Sequence, residues 1–154
     1  MIELMIVIVV LAIILTLGVP NFRSLIQNNR ATTIANDLVA AVQTARSEAL
    51  KLRTNVQLCR RNPAGTECAD GPDWSVGWLV CSGACAAADV IRVWEAAPGN
   101  AAVSGPIEGL TFRPTGMATA GGVFEVALPK CSGLERRNIA VLASGSLNQT
   151  RSAC

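Results

Sequence analysis

Met1-Ile-Glu-Leu-Met-Ile-Val-Ile-Val-Val-Leu-Ala-Ile-Ile-Leu-Thr-Leu-Gly-Val-Pro20 opens the chain: an apolar run with one carboxylate, Glu3, near its start and a proline at its far end. No charge follows Glu3 until Arg23, so residues 4 to 22 form an uncharged segment. About 19 residues at ~1.5 Å each make a helix of roughly 28 Å, long enough to cross a bilayer once. A secretory signal peptide places basic residues before its apolar stretch and a small-residue cleavage site after it. Here the order is acidic, then apolar, then a continuing helical pattern.

That pattern turns amphipathic from Asn21 to about Arg53. Ile34, Leu38, Ala41, Val42, Ala45, Ala49 and Leu52 recur at three- and four-residue spacing, while Asp37, Thr44, Glu48 and Lys51 fall on another face. No glycine or proline interrupts this part, so one helix of about 50 residues, roughly 75 to 80 Å long, is expected from the apolar segment into the domain. Pro20 cannot donate a helical hydrogen bond and crowds the preceding turn, which predicts a kink near Gly18 to Pro20. The expected organisation is a transmembrane half-helix over 1–22, an amphipathic half over 23–53, and a β-rich globular domain over 54–154.

After Asn55 the helical period gives way to alternation. Val56 and Leu58, then Val76, Trp78 and Val80, then Phe124, Val126 and Leu128 mark inward faces, and segments 90–95, 109–113 and 137–143 complete the strands. Turn signals separate them at Pro63-Ala-Gly65, Asp70-Gly-Pro72, Pro98-Gly-Asn100, Pro114-Thr-Gly116, Gly121-Gly122 and Ser144-Gly145. The fold class is α+β, a long N-terminal helix whose apolar stripe is buried by an antiparallel sheet. The Ala- and Gly-rich stretch 82–105 reads as a flexible loop. Trp78 and Trp94, in strand patterns, read as core, and Trp74 stays open.

A net charge of +2 over 154 residues is too mild to demand nucleic acid or anionic lipid as a partner. Beyond Gly109, however, Arg113, Lys130, Arg136, Arg137 and Arg151 face only Glu125 and Glu135. The six cysteines permit many connectivities; neighbour pairing as Cys59 with Cys68, Cys81 with Cys85, and Cys131 with Cys154 is the expectation. A chain anchored with its N-terminus in the cytoplasm exposes its domain to the periplasm, where disulfides persist. A resident zinc is not expected: there is no histidine, and only one cysteine pair has a short metal-type spacing. Closing about 24 residues, a Cys131–Cys154 bridge would contribute about 3.4 kcal/mol in the chain-entropy model. With no histidine or tyrosine, no Ser-Lys pair, no carboxylate dyad and no phosphate-binding glycine loop, the sequence predicts neither an enzyme nor a cofactor nor a small-molecule substrate.

The string Ile2-Glu3-Leu4-Met5-Ile6-Val7-Ile8-Val9-Val10-Leu11-Ala12-Ile13 resembles the N-terminal signature of type IV pilins and type II secretion pseudopilins, and Pro20-Asn21 falls at that superfamily's helix kink. Met1 stands where the superfamily has Leu, and its basic leader, Gly and Phe-Thr pair do not occur in the sequence, so the true start is expected upstream. Prepilin peptidase would be a partner of such a leader. Farther on, Trp74-Ser-Val-Gly-Trp78-Leu-Val, Val90-Ile-Arg-Val, Gly109-Leu-Thr-Phe-Arg-Pro-Thr-Gly116, the Arg136-Arg137-Asn-Ile-Ala-Val strand and the cysteines Cys131 and Cys154 are similar to FimT/FimU minor pilins and GspH-type pseudopilins.

The resemblance implies the pilin fold and a structural, assembly-priming subunit of a type IV pilus or a type II secretion pseudopilus. It further implies residence in the bacterial inner membrane before assembly and contact with other subunits through the N-terminal helix. Glu3 would then meet the N-terminal amine of a neighbouring subunit, neutralising both charges inside an apolar bundle. The alternative in a different class is a DNA-binding competence pilin, with Lys130, Arg136, Arg137 and Arg151 as phosphate contacts. The Gly-Arg-x-Arg motif of FimT-type DNA binders is replaced here by Gly145-Ser-Leu-Asn-Gln-Thr-Arg151.

Overall fold

The structure, a computed structural model, describes residues 2–129, 131 and 135–154; the side chains of residues 17–24 lie outside that description. One helix, α1, runs over Ile2–Leu52, which at ~1.5 Å per residue is about 76 Å long. Its helical backbone continues through Pro20. It stops where Arg53 takes a left-handed φ of 52°, the conformation that commonly ends a helix, before the chain extends into β1.

Among the described residues eight strands follow: β1 (Val56–Arg60), β2 (Trp78–Ser82), β3 (Val90–Trp94), β4 (Ala102–Ser104), β5 (Leu110–Phe112), β6 (Gly122–Ala127), β7 (Arg136–Val141) and β8 (Leu147–Ser152). They form two four-stranded sheets where one was expected, in the orders β3-β2-β1-β5 and β4-β6-β7-β8, and every paired neighbour is antiparallel. The stretch 82–105 is not simply a loop. It contains the end of β2, β3, β4 and two single-turn 3-10 segments, at Ala87–Asp89 and Pro98–Asn100.

The second half of α1 packs across both sheets. Ala31, Ile34, Ala35, Leu38, Ala41, Val42, Ala45 and Ala49 are buried against Val56, Leu58, Trp78, Val80 and Phe112 of the first sheet and Phe124, Val126, Ile139 and Val141 of the second. Five of those eight helix positions, Ala31, Ala35, Ala41, Ala45 and Ala49, carry a small side chain, which lets the helix axis approach the strands. Leu52, expected in the stripe, is about half exposed because the helix ends there.

Trp74 belongs to the core and is fully buried, although it sits in a connection and not a strand. Asp73 holds it there: the Asp73 carboxylate accepts hydrogen bonds from the Ser75 amide (3.0 Å) and hydroxyl (2.5 Å), a local turn that commits the Trp74 side chain inward. Those two bonds, the hydroxyl's being the stronger, hold the Asp73 carboxyl below its ordinary range. The indole meets Phe124 edge-on at 4.9 Å and donates to the Pro106 carbonyl at 3.2 Å. Gly105 makes room for it, since a Cβ there would lie 2.9 Å from the indole and 2.7 Å from the Phe124 ring.

Candidate functional site

The two halves of α1 have opposite fates. From Ala31 onward the apolar stripe is sealed by the chain's own sheets, but Ile2, Leu4, Met5 and the residues through Leu15 are 49 to 77 % exposed on every side of the helix. A dozen adjacent Ile, Val, Leu and Met side chains left uncovered exceed anything a monomeric soluble protein presents to water. Glu3 lies in the first turn, where a carboxylate also complements the positive end of the helix dipole. Among the described residues no helix is long and apolar enough to cross a membrane. The span expected over residues 4 to 22 falls partly on 17–24, outside the described side chains.

Arg137 guards the boundary between the halves. Its place on β7 alternates with Ile139 and Val141, so it points inward, and it is only 1 % exposed. One guanidinium nitrogen donates to the Asn28 side-chain oxygen and to the Thr32 hydroxyl (3.2 Å). The Thr32 hydroxyl in turn donates to the Asn28 carbonyl at 2.8 Å. Asn28 and Thr32 are one helical turn apart, so one arginine fixes the level at which α1 leaves the sheet. Lower down, Arg46 donates to the Gly145 carbonyl at 3.0 Å and ties the helix to the β7–β8 turn. Nothing in the sequence singled out Asn28 and Thr32; the alternation of Arg137 with Ile139 and Val141 was the available signal.

The proposed DNA-contact set does not assemble on one face. Arg136 and Arg137 are successive residues of β7 and point to opposite sides of the sheet. Arg136 is on the outer face, ion-paired to Glu125 at 3.0 Å, whereas Arg137 is buried with its guanidinium bonded to α1. Arg151, opposite Arg137 in register, is exposed, and Lys130 lies outside the described residues. With cations on two faces, affinity for duplex DNA at physiological salt is expected to be weaker than about 10 µM in a titration of the detergent-solubilised chain. Tighter binding that disappears when Arg136 and Arg151 become alanine would contradict this.

The cysteines are joined as Cys59–Cys68, Cys81–Cys85 and Cys131–Cys154. The last ties the chain end beyond β8 to the segment after β6. Trp78 is buried in the core, whereas Trp94 is half-buried on the edge strand β3 with the Arg92 guanidinium 4.6 Å from its ring centre. A groove lined by Pro72, Asp73, Ser104 and Glu125 contains two carboxylates, but Asp73 is bonded to Ser75 and Glu125 to Arg136, so neither stands ready as a general base.

The family model for the type II transport protein GspH matches residues 35–145, from the buried half of α1 to the β7–β8 turn. The chain belongs to the GspH family. Its fold is that of the type IV minor pilin FimU of Pseudomonas aeruginosa: 18 % identity, a TM-score of 0.62, and coverage of 79 % of this chain and 89 % of that one. A second crystal form of FimU gives a TM-score of 0.58. The minor pseudopilin EpsH from the type 2 secretion system of Vibrio cholerae is similar over 79 % of this chain and 97 % of its own, with 10 % identity and a TM-score of 0.52. No curated protein matches the sequence significantly. Family and fold together make this GspH-family chain a subunit of the minor pilin and pseudopilin kind.

Proposed function

We propose that this GspH-family subunit is anchored in the inner membrane by residues 1–22, with its sheets in the periplasm, and passes from there into a fibre whose core is built from the same helices of neighbouring subunits. The observation that carries this reading is the contrast along α1: the stripe beyond Ala31 is buried in its own domain, while Ile2 to Leu15 has no cover among the described residues. Lipid tails and packed apolar helices are the two environments that bury such a surface, and the first supplies a reservoir for the second. A bend at Pro20 would let the anchor adjust its direction independently of the anchored domain. The role is structural and assembly-priming, without catalysis.

Fractionation tests the anchor. The full chain should sediment with membranes and resist alkaline extraction, and a chain lacking residues 1–24 but exported with a cleavable signal should appear in the soluble periplasm. Recovery of the full chain in the soluble fraction would refute the anchor.

A further inference from the structure

Four cysteines from two separate disulfides meet on the outer face of the first sheet. Cys59 on β1 and Cys81 on β2 lie on the same side, since Cys59 is paired with Leu79 and Gln57 with Cys81. The segment after β1 folds back, with Arg61 bridged to Cys68, and brings Cys68 over them. Cys85 arrives from the turn after β2, at a left-handed φ of 56°. Around Leu79 these sulfurs make a small core of their own, with Val90 and Val93 packed against it. The Sγ atoms of Cys68 and Cys81, which belong to different disulfides, are 3.6 Å apart, and those of Cys59, Cys68 and Cys81 all lie within 4.8 Å of one another.

We propose that these four residues are one thiol–disulfide exchange centre, with Cys68 and Cys81 as the exchanging pair and a dithiol as its external reaction partner. Exchange needs a thiolate that can reach the sulfur of an intact disulfide, and opening either bond leaves such a sulfur in contact with the other. When a dithiol opens Cys81–Cys85, it is oxidised to its own disulfide while two electrons and two protons pass to Cys81 and Cys85. The Cys81 thiolate then attacks Cys68 Sγ. The Cys68–Cys81 bond forms, Cys59–Cys68 breaks, and the electron pair leaves on Cys59, which takes up the proton that Cys81 released. If Cys59–Cys68 is opened first, the Cys68 thiolate attacks Cys81 and Cys85 leaves. Both routes converge on the same Cys68–Cys81 bond, with Cys59 and Cys85 reduced.

The consequence is a cluster that loses one disulfide without losing its cross-link. A two-electron reduction leaves the segment carrying Cys68 tied to the sheet, at β2 in place of β1, and a mispaired Cys68–Cys81 bond formed during oxidation resolves within the molecule. Cys131–Cys154 has no part in this and serves as an internal control.

The test uses the full chain in detergent with the single variants Cys85→Ser and Cys59→Ser. Each is incubated at pH 8, quenched by alkylation and mapped by mass spectrometry. Cleavage after Arg60 or Arg61 and before Asp70 or Asp73 separates Cys59, Cys68 and the Cys81/Cys85 segment. The expected result is a Cys68–Cys81 linkage in both variants, with the alkylated thiol at Cys59 in Cys85→Ser and at Cys85 in Cys59→Ser. Because the thiolate is the attacking species, the linkage should form about tenfold faster for each unit by which pH is raised, up to the thiol pKa. Alkylation found only at Cys81 in the first variant and only at Cys68 in the second would overturn the proposal. Where a variant does not fold, wild-type protein treated with one equivalent of dithiothreitol decides: a Cys68–Cys81 peptide supports exchange, and native linkages alone at every stage of reduction overturn it.

Discussion

Replacing Glu3 by alanine should leave insertion of the chain into the membrane intact and remove it from sheared pilus or pseudopilus fractions. Deleting the charge makes the N-terminal segment more apolar, so partition into lipid cannot suffer; a carboxylate within such a segment otherwise costs a few kcal/mol. If Glu3 pairs with an amine of the neighbouring subunit, as we propose, the substitution removes that partner, and an unpaired amine in an apolar bundle is costly. Immunoblots of membrane and fibre fractions measure both quantities. Glu3→Gln should behave as Glu3→Ala, because the amide keeps the shape and loses the charge. Incorporation of either variant at the wild-type level would exclude the pairing.

The largest effect on stability is expected at Arg137. Arg137→Ala empties a buried volume and strands the Asn28 and Thr32 side chains that now receive its donors, which together cost about 2–4 kcal/mol. Arg136→Ala, one residue away but half-exposed in a surface ion pair with Glu125, should cost less than about 1 kcal/mol. Burial holds the Arg137 pKa below its ordinary value, the nearby Arg151 cation lowers it further, and Glu135 opposes both. A base depressed in this way penalises the folded state while it remains charged, and the penalty eases only as pH rises through the folded pKa toward the unfolded one. That window is alkaline, so at neutral pH Arg137 stays charged. Arg151→Ala should therefore be neutral or slightly stabilising. Urea unfolding of the three variants in one detergent gives the ranking, and equal losses at Arg136 and Arg137 would contradict it.

The parts of the fold legible in the sequence are those where periodicity is set by one buried face. The helix was legible because small and branched apolar residues from Ile34 to Ala49 repeat at the helical period, and β1, β6 and β7 because one side of each strand meets that helix. β8 escaped notice because Leu147-Asn-Gln-Thr-Arg-Ser152 sits at a sheet edge, largely exposed, so neither face needs to be apolar. β4 is three residues long inside an Ala- and Gly-rich stretch. In β2, Leu79 and Cys81 are buried on the side away from the helix, under the segments that the disulfides hold down, which no local alternation announces. Trp74 is placed by a turn at Asp73 and by the backbone gap at Gly105, both tertiary circumstances.

The site divides in the same way. Glu3 and the uncovered apolar half-helix were readable as a motif, and the basic residues near the C-terminus were readable as a list but not as a surface. Composition counts Arg136, Arg137 and Arg151 together, whereas strand geometry sends Arg136 outward and Arg137 into the boundary between helix and sheet. The inward position of Arg137 was already implied by Ile139 and Val141, which share its side of β7.

The proposed fibre role requires the uncovered half of α1 to be buried by other subunits. Photo-cross-linking in cells that assemble the fibre tests this directly, with a photoreactive side chain placed at Val9 and, as a control at an exposed position of the edge strand β3, at Arg92. Irradiation at Val9 should yield adducts with the N-terminal helix of another pilin-type subunit in the fibre fraction, and the control position should not reach that helix. Fibre-associated protein in which Val9 captures no other subunit, or in which Arg92 captures the neighbouring helix instead, would contradict it.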